Sequence, residues 1–218
     1  MNFKSTIVNK KPIDWKHTIV LEELNVDPKA LEMHKERINT VFAKQTEEQR
    51  SQQLHNIIVR ENLFNKAMTY LADFYEIDVN EEDIKDLAPR IKQAFGVEDE
   101  KLAYEIAQKI IAKALIFQDL QKEFTIEIKD EELTKILESY YEETNLSIRD
   151  FKENKAQWEA AKSTLLEEKT TAFIVDKFDR DLSILEANIR KKIAEQMELD
   201  KKIKEIQDNN KSKQNADK

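Results

Sequence analysis

Thr46-Glu47-Glu48-Gln49 opens the stretch TEEQRSQQLHNIIVRENLFNKAMTYLADFY, residues 46–75, which contains neither glycine nor proline. The Thr-x-x-Gln spacing is that of a capping box, in which each side chain satisfies an orphan amide of the other's first turn. A helix is therefore expected to begin near residue 47. Leu54, Ile57, Ile58, Leu63, Phe64, Met68, Leu71 and Phe74 then hold a helical period, as one face of an α-helix does. The run amounts to about 28 residues, or about 42 Å at 1.5 Å per residue. Upstream, Asp27-Pro28 gives an N-cap followed by a proline at the first helical position, where its missing N–H costs nothing. Leu31, His34, Ile38 and Phe42 then keep the helical period. Two helices joined by a short turn predict an antiparallel hairpin that projects as an arm.

The whole chain has the same character. Its 218 residues include one glycine, three prolines and no cysteine, while 37% are charged. Sheets need glycine and proline at hairpins and crossovers, so such a chain is expected to be all-α. Lack of cysteine excludes disulfides and thiolate metal sites and fits a reducing cytoplasm. The N-terminal stretch has no apolar run of signal-peptide length, and no stretch approaches the ~20 apolar residues that span a bilayer. The net charge of −8, with both signs interleaved, argues against nucleic acid as a partner. An apolar fraction of 40% predicts an elongated fold or small cores sharing a long helix.

A repeat organises the middle of the chain. Ile77-Asp78-Val79-Asn80-Glu81-Glu82-Asp83-Ile84 matches Ile126-Glu127-Ile128-Lys129-Asp130-Glu131-Glu132-Leu133, and both match Leu24-Asn25-Val26-Asp27-Pro28-Lys29-Ala30-Leu31. Each copy reads as an extended link and then a capped helix. Downstream, Gly96 corresponds to Asn145, the two residue types that best close a helix in the left-handed conformation. Further helices are expected from Ser147, over about 155–179 and over about 181–207. Residues 1–17 are read as a flexible segment, 18–207 as one elongated domain and 208–218 as a disordered tail, with Thr18–Leu21 extended.

The long hairpin, the links of type Ile-x-Val-x-x-Glu-x-Ile and the helices that follow resemble the C-terminal domain of trigger factor and the related SurA-type chaperones. The resemblance covers roughly residues 20–180. It is carried by Val26–Leu31, Glu76–Ile84 and the stretch from Phe124 to Phe178, including Asn154-Lys155-Ala156 and Leu165-Leu166-Glu167-Glu168-Lys169. Trigger factor's glycine- and arginine-rich ribosome-docking loop and its prolyl isomerase domain have no counterpart here. The resemblance implies an ATP-independent chaperone that binds apolar segments of unfolded or nascent polypeptides in a cradle between helical arms.

No catalytic constellation accompanies these features. His17, His34 and His55 are scattered, and one glycine cannot build a phosphate cradle. Asp78-Val79-Asn80-Glu81-Glu82 begins like a calcium loop, but Asp83 stands where glycine must turn the chain. A non-enzyme without cofactor or metal is expected. Aromatic and apolar residues near arm tips are the candidate polypeptide-binding lining: Phe42, Leu63, Phe64, Tyr70, Tyr140, Tyr141 and Trp158. The alternative is a scaffold that self-associates through the helix at 181–207, whose apolar positions drift from a strict heptad.

Overall fold

A computed structural model of the chain describes the backbone of residues 3–144 and 148–216, and the side chains of these except 140–144, 150 and 204–216. Among the described residues eight helices dominate: α1 (Pro28–Val41), α2 (Glu47–Ala72), α3 (Glu81–Phe95), α4 (Glu100–Glu123), α5 (Asp130–Thr144), α6 (Ile148–Glu153), α7 (Lys155–Lys177) and α8 (Ser183–Ala216). Four short strands accompany them: β1 (Thr6–Lys10), β2 (Thr18–Val20), β3 (Tyr75–Asp78) and β4 (Asp179–Asp181). The chain is thus predominantly helical, with two strand pairs as its only sheet among the described residues.

The helix starts carry the capping chemistry that the sequence announces. Thr46 and Gln49 exchange reciprocal bonds, Thr46 N–H to Gln49 Oε1 at 3.0 Å and Gln49 N–H to Thr46 Oγ1 at 3.2 Å. Asp27 caps α1 by accepting from the amides of Lys29 and Ala30, and Asn80 caps α3 by accepting from Glu82. Gly96 closes α3 at φ +66°, the left-handed conformation in which a Cβ is penalised. All three copies of the repeat therefore lead from a link into a helix. Only the middle link is a strand, because only it pairs with another strand among the described residues.

Two compact units replace the expected single domain: residues 1–17 with 64–178, and residues 18–63 with 179–218. The chain closes the second unit on itself by a parallel pairing of β2 with β4, a long-range contact that helical periodicity cannot announce. Leu21 N–H extends that pairing to the Asp181 carbonyl at 3.0 Å. Ile19, Leu21, Ile38, Ile58, Leu63 and Leu185 are its buried apolar residues. Asn62, only 8% exposed, is satisfied there: it accepts from Asn25 N–H at 2.9 Å and donates to the carbonyls of Asn25 and Ile58 at 3.0 and 2.9 Å.

In the first unit, α3 and α4 pack through Ile84, Ala88 and Ile91 against Ala103, Ala107 and Ile111. Alanines at these positions let the two backbones approach closely. The core continues through Ile116 and Leu120 of α4, Leu133 of α5 and Ile174 of α7. Residues 1–17, expected to be flexible, instead supply β1, which pairs antiparallel with β3 across a bulge at Ile7/Asn9. Two anchors hold it. Asp83 accepts from Ser5 N–H at 2.7 Å and Ser5 O–H at 2.6 Å, and Lys10 pairs with Asp119 at 2.7 Å and also with Glu123.

α8 continues to Ala216, past residue 207, after which the end of the apolar stripe predicts a disordered tail. A helix already nucleated adds one backbone bond for each residue it fixes, so loss of the apolar stripe does not end it. Residues 217 and 218 of that expected tail lie outside the described residues.

Candidate functional site

The first unit gathers aromatic rings from four distant stretches of sequence. Tyr70 lies in the last turn of α2 with Phe74 just beyond it, Phe124 caps α4, and Phe173 lies near the end of α7 with Phe178 as its C-cap. Trp15 and His17 arrive from the segment between β1 and β2. Phe178 is the buried centre at 4% exposure, while Trp15, Tyr70, Phe74, Phe124 and Phe173 are half-buried.

Their geometry is that of interlocked rings. Trp15 lies 5.5 Å from Phe124, edge-on, and 5.2 Å from Phe178. Tyr70 meets Phe74 at 5.0 Å and Phe178 at 5.7 Å, both edge-to-face. Phe124 meets Phe173 at 4.8 Å, and the Lys177 ammonium stands 4.8 and 5.0 Å over those two rings. His17 stacks flat on Tyr70, 3.9 Å away. Such pairings add about 0.5–1.5 kcal/mol each beyond area burial. Burial, with Asp14 and Asp73 nearby, holds the Tyr70 phenol above its ordinary pKa, so it stays a neutral donor, at 3.3 Å from the Asp14 carbonyl.

Phe124 owes its position to a strained turn. Thr125 sits at φ +51°, unfavourable for a β-branched residue. The amides of Thr125 and Ile126 donate back to the carbonyls of Lys122 and Gln121, at 3.3 and 2.9 Å. This is a Schellman closure with threonine in the place glycine normally takes.

Of the residues singled out in the sequence whose side chains are described, Tyr70 alone belongs to this cluster. Leu63 is 4% exposed and is core, which removes it from any lining: its helical position faces inward. Phe42 is half-buried as the C-cap of α1, in the second unit. Phe64, half-buried, meets Phe117 edge-on at 6.0 Å beneath the Lys113 ammonium at 4.6 Å. Trp158 lines a separate cleft of about 350 Å³ with Thr134, Lys152 and Lys155. The side chains of Tyr140 and Tyr141 lie outside the described residues. Trp15, Phe74, Phe124, Phe173 and Phe178 were not among the candidates. A tryptophan and a histidine two residues apart in a stretch without helical period were the one available signal.

The arrangement offers partly exposed aromatic faces with the Lys177 ammonium over two of them, a surface suited to apolar side chains. Among the described residues no group of three or more His, Asp or Glu is placed to hold a metal ion. No described helix is long and apolar enough to cross a membrane.

No family model matches the chain. It is 35% identical over 179 residues to the uncharacterized MG377 homolog of Mycoplasma pneumoniae, covering 81% of this chain and 92% of the relative. It is 32% identical over 178 residues to uncharacterized protein MG377 of Mycoplasma genitalium, with the same coverage of 81% and 92%. The crystal structure of the Mycoplasma protein MPN555 superposes with a TM-score of 0.70 at 33% identity, over 83% of this chain and 92% of that one. With identity at this level across nearly the full length of those relatives, the chain belongs to the family of MG377 and its homologues.

Proposed function

We propose that this protein is a cytoplasmic, ATP-independent chaperone that binds exposed apolar segments of unfolded or nascent polypeptides, without cofactor or catalysis. The observation that carries this reading is the half-buried aromatic surface of the first unit. Rings left partly open at a surface mark an interaction site, and charged surroundings keep the holder soluble. The repeated link-and-helix pattern at Leu24–Leu31, Ile77–Ile84 and Ile126–Leu133, which resembles that of the C-terminal domain of trigger factor, supports the same reading. Weak contacts in series gain avidity while each releases quickly.

The direct test is aggregation of a chemically denatured client diluted into buffer with the purified protein. Suppression at near-equimolar protein is expected. Aggregation unchanged at severalfold molar excess contradicts the reading.

A second reading, a scaffold assembling through α8, draws on the exposure of Ile193 (55%), Met197 (68%), Leu199 (51%) and Ile203 (44%). Light scattering separates the two. A stable oligomer with no affinity for unfolded protein favours the scaffold.

A further inference from the structure

Residues 11–17 cross the aromatic surface of the first unit as a strap that continues from β1. β1 ends at Lys10, paired with Tyr75, and β2 begins at Thr18, paired with Asp179. Between these ends the strap is attached largely by aromatic side chains: Trp15 on Phe124 and Phe178, and His17 on Tyr70. Its backbone meets the surface where Lys11 N–H donates to the Phe74 carbonyl at 2.8 Å and where the Asp14 carbonyl accepts from Tyr70 at 3.3 Å. Its turn is closed internally, by the amides of Lys16 and His17 on Asp14 at 3.0 and 3.4 Å. Lys11, Pro12, Asp14, Lys16 and His17 are exposed, and Ile13 and Trp15 half-buried. The strap is, in effect, a short irregular peptide with spaced aromatic side chains seated on a bed of rings.

We infer that residues 11–17 occupy the place an aromatic-bearing segment of an unfolded polypeptide takes, so that client and strap compete for Tyr70, Phe74, Phe124, Phe173 and Phe178. This rests on the chaperone reading and names its site and the chemistry of its ligand. The strap lifts without undoing β1, since the pairing of β1 with β3 lies outside it. A client bearing aromatic residues recovers the ring contacts that the strap gives up. Being tethered, the strap is present at high effective concentration, and client affinity is reduced by the fraction of molecules whose surface is open. Weakening the strap's aromatic anchors therefore raises client affinity.

The test uses the full chain, a carboxymethylated, permanently unfolded protein carrying a fluorescent label, and the free peptide Lys-Pro-Ile-Asp-Trp-Lys-His. Trp15→Ala and His17→Ala are each expected to bind the unfolded protein at least about fivefold more tightly than the wild type, in proportion to the open fraction. The free peptide is expected to displace it from Trp15→Ala. Should Trp15→Ala fail to fold, His17→Ala decides alone, because its exposed ring carries no core. Folded variants that bind no more tightly than the wild type overturn the strap while leaving the chaperone. Tighter binding that the peptide does not compete places the client elsewhere and also overturns it. Absence of binding by wild type and variants alike overturns both readings.

Discussion

Asn62 works as a piece of backbone. Its amide accepts from Asn25 N–H and donates to Asn25 C=O, the exchange a neighbouring strand would make, and its second N–H reaches Ile58 C=O. Asn62→Leu keeps the volume but leaves the polar groups of Asn25 without their partner. A loss of about 1–3 kcal/mol in unfolding free energy is expected, read from urea denaturation followed at the second unit. Thr125 is the reverse case, a residue whose backbone conformation opposes its side chain. A left-handed L-residue costs about 1–2 kcal/mol, while glycine loses about 0.4–1 kcal/mol through the unfolded chain. Thr125→Gly is thus expected to stabilise by about 0.5–1 kcal/mol, seen as a raised thermal midpoint, and a lowered midpoint contradicts the strain. Neither residue was legible in the sequence. An asparagine among helical apolar positions reads as a solvated face, and a threonine after a phenylalanine carries no mark of a left-handed turn.

At the scale of elements, legibility follows distance along the chain. The capping box at Thr46/Gln49, the caps Asp27 and Asn80, and the stop at Gly96 are local chemistry, and the helix boundaries there follow the sequence closely. β1 and β4 are not local. Thr6–Lys10 has an irregular burial pattern with Val8 62% exposed, and its strand character exists only against β3. The anchoring of β1 makes a pH prediction. The Asp83 carboxyl is held below the usual range by the Ser5 hydroxyl first and then by the Ser5 and Lys4 amides. Glu82 is lowered by its hydrogen bond and charge contact with Lys4. A depressed carboxyl contributes its full stabilisation above its unfolded pKa, about 3.9 for aspartate, and loses it as pH falls through the lower folded value. β1 is therefore expected to stay attached from pH 7 down to about pH 4 and to loosen below it. Its amide NMR signals should show this, with Asp83→Ala reproducing the acid behaviour at neutral pH. β1 amides as protected at pH 3 as at pH 7 contradict the anchor. Beside this network the Tyr75 phenol is pushed up by burial and by the nearby Asp119 carboxylate, to which it donates at 2.9 Å, and stays neutral across this range.

For the whole molecule, the helical class followed from composition, whereas the chain segments that make up each of the two units did not. A parallel pairing of residues 18–20 with 179–181 leaves no trace in periodicity. The aromatic surface was hidden for the same reason. Phe74, Phe124, Phe173 and Phe178 each read as ordinary helix-end residues, and only folding of the first unit joins them into one cluster, with Phe124 and Phe178 against Trp15. The candidates drawn from helical position near arm tips were instead dispersed, Leu63 into the core, Phe64 onto Phe117, and Trp158 into a separate cleft. The most direct measurement is therefore a methyl- and aromatic-resolved NMR titration of the full chain with a permanently unfolded polypeptide. Perturbations concentrated on Tyr70, Phe74, Phe124, Phe173 and Phe178 are the expected result. Shifts confined to Ile193, Met197 and Ile203 of α8, or none at all, would contradict it.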